Sequence, residues 1–300
     1  MSFDSKTQFL FIINPISGTV NKARIPELIY QYLNKVPKEA ISIQLTRYAG
    51  HAKEIAQQAA ALRIPRVVAV GGDGTMNEVA SGLLHSDSSL GIIPMGSGNG
   101  LARHLKIPLD PVKAILMLNN ASPRFIDSGL INGQPFFCTA GIGLDAEVGK
   151  AFDELPTRGL KTYVKATWKT IQKYKGEKIK ITVDGKKTIE GDFLLCTFAN
   201  ANQYGNNAYI SPTAHLEDSQ LNLILLKPVS TFSLLTKAYK LFNKTIHLDK
   251  DITDFTFKEL YIQREKKGVY QLDGEPAGES DSIHVSIHQS ALRVLVPTIY

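Results

Sequence analysis

The 300 residues include 43% hydrophobic and 21% charged side chains, a folded-protein composition long enough for two cores, which excludes a disordered or fibrous chain. The formal charge is +6, yet Arg158, Lys161, Lys165, Lys169, Lys173, Lys175, Lys178 and Lys180 stand against Glu177 alone, so the remainder sums to about −1. Basicity this local argues against a nucleic-acid partner, and no stretch approaches the roughly 18 apolar residues of a spanning helix. The polar N-terminus lacks a signal-peptide pattern, and Cys138 and Cys196 read as buried thiols, both pointing to a cytoplasmic protein.

In chain order, apolar runs predict strands at "QFLFII", "ISIQLT", "RVVAV" and "LGIIP", alternating with amphipathic helices near 24–35, 51–62, 75–84 and 110–119. This alternation predicts an α/β, doubly wound, mostly parallel sheet over 1–125, with ligands at the carboxyl ends of its strands. From about 126 to 290 the pattern turns to hairpins, marked by Asn132-Gly133 and Asp184-Gly185, and predicts a mainly antiparallel β domain with one or two inserted helices. Further strands are expected at 221–226, 254–263, 268–272, 281–287 and 291–296, the last returning to the first domain. His51, after Ala49-Gly50, is expected to start a helix rather than bind zinc.

The densest chemistry lies in "VVAVGGDGTMNEVASGLL", residues 67–84, where a strand ends in Gly71-Gly72-Asp73-Gly74-Thr75 and a helix begins. Glycines let successive amides approach an anion, and the helix N-terminus adds partial positive charge. A carboxylate in such a loop repels phosphate unless a cation intervenes, so Asp73 suggests Mg²⁺ and phosphoryl transfer, against the plainer reading of a helix N-cap. "NPISG" at 14–18 and "PMGSGNGLARHL" at 94–105 end two further strands, so Asn14, Ser17, Thr46, Ser97 and Asn99 are expected as neutral donors at the same sheet edge.

"GGDGTMNEV", "IPMGSGNGLARHL" and "LDGEP" together resemble the diacylglycerol kinase catalytic domain family of bacterial lipid kinases, related to sphingosine kinases. The resemblance spans essentially the whole chain. It implies a nucleotide domain similar to NAD kinases and phosphofructokinases, a β-sandwich second domain, and a site in the cleft between them. It implies ATP and Mg²⁺ as cofactors, with phosphates at Gly71 to Thr75 beside Asn14, Thr46, Ser97, Gly98 and Asn99. Asp73 and Asp127 would hold water and Mg²⁺, Glu275 would be the general base, and Asp218 with carbonyls such as that of Leu221 would hold a second, structural metal. By pattern alone, Asp273-Gly274 is a hairpin turn and Glu275 a solvated turn residue.

The chain departs from the family pattern in three places. Thr19 stands where relatives carry a basic residue, with Lys22 one turn later; Ser219 and Gln220 follow Asp218 where "DG" is usual, in a place a glycine conformation suits; and "DSG" at 127–129 replaces "DLG". The expected function is transfer of phosphate from ATP to the hydroxyl of diacylglycerol or a related membrane lipid. The alternatives are a kinase of a soluble acceptor such as NAD, and a non-catalytic nucleotide or lipid sensor. Lys161, Lys165, Lys169 and Lys173 at helical spacing, beside Leu160, Val164, Trp168 and Ile171, suggest a docking face for transient contact with an anionic membrane, against the plainer and commoner reading of an amphipathic helix packed on the second domain with solvated lysines. A homodimer is compatible with the sequence.

Overall fold

The computed structural model describes residues 3–16, 22–153, 170 and 173–298. By internal contacts the chain divides into two units, Met1–Ile126 with Ser290–Tyr300, and Asp127–Gln289.

In the first unit, β1 (Phe9–Ile13), β2 (Ile41–Leu45), β3 (Arg66–Gly71) and β4 (Ser89–Pro94) form a parallel sheet in the order β2-β1-β3-β4. The end of β14 (Glu275–Val296) adds a parallel neighbour, Arg293 and Val294 pairing with Ser89 and Leu90. β1, β3 and β4 are buried on both faces, which is why they read as continuous apolar runs. Phe9, Phe11, Ile13, Val68 and Val70 cluster with α1 (Ile25–Tyr32) and α5 (Pro111–Leu118). α2 (His51–Ala61) and α3 (Asp73–Leu83) pack on each other and against β1 and β3. A fully buried side chain such as Phe11 contributes about 2–3 kcal/mol. α4 (Gly100–His104) follows the loop after β4.

In the second unit the strand pairs described below are antiparallel. β7 (Thr139–Gly143) joins β10 (Leu195–Ala199), which continues to β11 (Leu221–Leu226) and β12 (Ile252–Phe257). On its other side β7 pairs with β13 (Glu259–Leu272), which also pairs with β14 and with β8 (Glu177–Val183). β5 (Ser122–Ile131) and β6 (Gln134–Phe136) turn at Asn132-Gly133, and β8 and β9 (Lys187–Phe193) turn at Asp184-Gly185. All four turn residues have positive φ, the geometry that matches strand twist in a tight hairpin. Two described helices are inserted, α6 (Leu144–Asp153) and α7 (Thr231–Phe242).

The expected breaks at 264–267 and 288–290 do not end strands. β13 runs through "REKKG" with a register shift between Gln263 and Gly268. There the buried Arg264 forks onto Glu177 at 2.6 and 2.9 Å and donates to the Gly268 carbonyl at 2.7 Å, so the charge sits inside the bulge rather than marking a loop. The expected basic helix falls mostly outside the described residues, as do Ser17 and Thr19.

Candidate active site

Parallel pairing brings the carboxyl ends of four strands to one edge. Ile13 is level with Leu45 and Val70, and Gly71 with Pro94, so Asn14, Thr46, Gly71-Gly72 and the 95–99 loop follow one another along it. Asn14 donates its amide to Thr75 Oγ1 at 3.1 Å, tying the first loop to the helix after the third strand. The Thr46 amide donates to the Ile13 carbonyl at 2.9 Å, and that of Met95 to the Gly71 carbonyl at 2.7 Å. The backbones of Gly72 and Gly96 lie so close that a Cβ on Gly96 would sit 2.7 Å from the Gly72 Cα. Only glycine permits this contact.

Asp73 is the hinge of the arrangement. It lies in the first turn of α3, whose N-cap is Gly72, but its carboxylate caps a different helix. Oδ2 accepts from the Asn99 amide and Oδ1 from the Gly100 amide, both at 2.9 Å, at the start of α4. Burial raises its pKa, against the pull of those two amides and of Arg103 toward the charged form. Asn99 holds the left-handed conformation at φ 53° and closes its own loop, its side chain accepting from Gly96 N and donating to Gly96 O. Ser97 is exposed at the tip of that loop. Lys22 is buried and donates to the Asn14 carbonyl at 2.8 Å, and burial lowers its pKa. Glu78, which the sequence reading passed over, accepts from the Gly50 and Ala52 amides and so caps α2, which His51 begins as expected.

Carboxylate chemistry here suits Mg²⁺. That ion is usually held by one or two carboxylates together with substrate phosphates and water rather than by a cage of side chains. Asp73 keeps a further lone pair on each oxygen. Among the described residues no group of three or more His, Cys, Asp or Glu is arranged as a metal cage.

In the second unit, Asp273 and Gly274 form the hairpin turn between β13 and β14, both at positive φ, and Glu275 is exposed as the first residue after it. The turn is anchored. The Asp273 carboxylate accepts from the amides of Phe137, Cys138 and Thr139, the shortest at 2.7 Å, and Gln271 Oε1 accepts from Gly274 N at 2.8 Å. Gln271 also donates to Asp145, a second carboxylate the sequence reading did not single out, which accepts from Thr197 Oγ1 at 2.9 Å. Burial raises the Asp145 carboxyl to about 6, against the hydrogen bonds from Thr197, Ala146 and Gln271.

Because Asp145 is raised on folding from 3.8 to about 6, the native state holds more protons than the unfolded state between those values, and stability falls as pH rises through them. Wild type should therefore lose on the order of 2–3 kcal/mol relative to Asp145→Asn between about pH 4 and 6. Parallel urea titrations of the two proteins check this; a pH-independent difference would show that the carboxyl is not desolvated.

Asp127 is buried in β5, its Oδ2 accepting from the Ser219 amide at 2.7 Å, while Asp218 accepts from Gln220 N at 3.0 Å. Ser219 sits at φ 60°, the left-handed conformation expected where relatives carry glycine. Leu221 opens β11.

A parallel α/β sheet with four loops meeting at its carboxyl edge, followed by an antiparallel β unit, defines a two-domain protein of the NAD kinase-like fold. A yeast NADH kinase crystal structure aligns with TM-score 0.53 at 12% identity, over 97% of this chain and 84% of its own. A diacylglycerol kinase structure from Bacillus anthracis str. Sterne aligns with TM-score 0.78 at 23% identity, over 96% of each chain. The diacylglycerol kinase catalytic domain matches residues 8–131, and the YegS C-terminal NAD kinase beta sandwich-like domain matches 138–296. A curated relative named "Diacylglycerol kinase" from Bacillus subtilis (strain 168) is 28% identical over 295 residues, 95% of each chain. "Probable lipid kinase YegS-like" from Pseudomonas aeruginosa (strain UCBPP-PA14) is 27% identical over 261 residues, 86% of this chain and 85% of its own. The chain carries the diacylglycerol kinase catalytic domain over residues 8–131 and belongs to the family of the YegS C-terminal NAD kinase beta sandwich-like domain; it is a kinase of the lipid kinase kind, with ATP as its phosphate donor.

Proposed function

We propose that this protein transfers the γ-phosphate of ATP to the hydroxyl of diacylglycerol or a related membrane lipid. The observation that carries the reading is the set of four loops at one sheet edge, locked around Asp73 by the Asn99 and Gly100 amides. Amides of Gly71 to Thr75 and of Ser97 to Asn99 would receive the phosphates, with Asn14 and Thr46 alongside. Lys22, buried beside Asn14, holds the first loop through the Asn14 carbonyl.

Asp73 would hold Mg²⁺, which would supply charge neutralisation at the phosphates. Glu275 takes the proton of the lipid hydroxyl as the new O–P bond forms and the bond to the ADP oxygen breaks. The anchored turn beneath Glu275 fixes its backbone, which lowers the entropic cost of positioning the base. Asp218 and the Leu221 carbonyl would help to hold a second, structural ion. The protein works in the cytoplasm and visits the membrane to reach its acceptor.

Label from γ-labelled ATP should enter the organic phase when diacylglycerol is supplied in mixed micelles. Label confined to the aqueous phase, with NAD as acceptor, would replace the lipid reading with the soluble-acceptor one.

A further inference from the structure

α7 turns toward solvent the residues a surface helix ordinarily hides. Phe232, Leu235, Tyr239 and Phe242 recur at helical spacing along one stripe and are 77%, 52%, 71% and 56% exposed. The opposite side carries Leu234 and Leu241, packed on the core beneath, and Lys237. Ser230 starts the helix by accepting from the Ser233 amide.

Lys237 is 5% exposed, and its ammonium is fully engaged: it donates to Ser233 Oγ at 3.1 Å, Asp249 at 3.0 Å and Asp251 at 2.7 Å. Lys240 closes the cluster on Asp249 at 2.8 Å. A buried ion pair adds little net stability, but rotating the helix would strand its charges, so the cluster fixes which side faces out. Burial opposes ionisation of Asp249, yet Lys240, the Asp251 amide and Lys237 hold its carboxyl at about 2, so the clamp stays charged at neutral pH. The apolar stripe is thus presented by construction.

Charge indicates what covers it. From 227 to 248 the chain carries Lys227, Lys237, Lys240 and Lys244 and no Asp or Glu, and the following Asp249 is buried in the cluster. Lys227, Lys244 and Lys250 are exposed. In a two-fold dimer the same patch occurs on both partners and sets lysines against lysines. Aromatic and aliphatic side chains with a cationic surround match an anionic lipid surface.

We propose that α7 is the surface by which this protein rests on an anionic bilayer, with Phe232, Leu235, Tyr239 and Phe242 entering the acyl boundary. The flanking lysines supply the attraction to the headgroups. The biological purpose rests on the lipid-acceptor reading above; the binding itself does not. This places the contact on an element different from the basic segment expected from sequence.

The test is sedimentation with phosphatidylglycerol/phosphatidylcholine vesicles, comparing wild type with the double variant Phe232→Ser, Phe242→Ser. Light scattering gives the oligomeric state, and transfer to diacylglycerol in neutral detergent micelles is measured alongside. Both positions are exposed, so an unchanged melting temperature confirms the fold. The expected result is at least a tenfold rise, roughly, in the lipid needed for half-maximal binding, with micelle activity retained. A second variant, Lys227→Gln with Lys244→Gln, should weaken binding at low salt and little at high salt. Equal binding by wild type and the serine variant, or no binding by wild type, would overturn the proposal, as would a wild-type dimer that the serine variant splits without loss of vesicle binding. Absence of lipid phosphorylation in micelles, with vesicle binding still lost in the serine variant, would instead sink the kinase reading and leave this one standing.

Discussion

Asp73→Asn is expected to abolish phosphoryl transfer and also to destabilise the first unit by about 1–3 kcal/mol. The amide preserves volume, which by itself would leave the fold intact. The structure adds a cost: both carboxylate oxygens receive backbone N–H groups, from Asn99 and Gly100, and an asparagine must turn its own NH₂ toward one of them. One buried donor then loses its acceptor, α4 loses its cap, and the 95–99 loop loosens with it. Transfer fails for a second reason, because the charge that would draw Mg²⁺ is gone. Circular-dichroism melting beside a Mg²⁺-containing kinase assay separates the two effects. Near-normal turnover would remove Asp73 from the chemistry, whereas an unshifted melting temperature would contradict the cap.

Glu275→Gln is expected to lower turnover by about 10²- to 10⁴-fold, roughly 3–5 kcal/mol of barrier, with nucleotide affinity and melting temperature nearly unchanged. The contrast with Asp73 follows from position. Glu275 is exposed and stands on a turn whose geometry is held by Asp273 and Gln271. Substituting it therefore removes a basic lone pair and leaves the scaffold in place. Steady-state turnover at saturating ATP and lipid, with nucleotide affinity measured separately, checks this. Turnover within a few-fold of wild type would assign proton removal to another group.

Local signals carried through to the structure where one short segment determines the outcome. Asn132-Gly133 and Asp184-Gly185 turn hairpins because two consecutive residues there take positive φ, and Ser219 takes the conformation expected where glycine is usual. The three small-residue loops share an edge because parallel strands put every carboxyl end on the same side. What stayed hidden depends on distant partners. Asp73 caps a helix that begins 27 residues later, Glu78 caps one that precedes it, and Arg264 meets Glu177 across 87 residues, turning an apparent loop signal into a bulge. Asp145 looks like an ordinary first-turn acid until Thr197 and Gln271 close over it. The outward apolar stripe of α7 was illegible for the same reason: helical periodicity shows two apolar sides, and only Asp249 and Asp251 decide which is buried.

The most direct test of the central claim offers diacylglycerol and NAD together to the wild-type protein, with γ-labelled ATP and Mg²⁺ in mixed micelles, and separates the products by phase. The account predicts labelled phospholipid in the organic phase, formed at least about 100-fold more slowly when Glu275→Gln replaces wild type. Labelled nucleotide product without labelled lipid would contradict it.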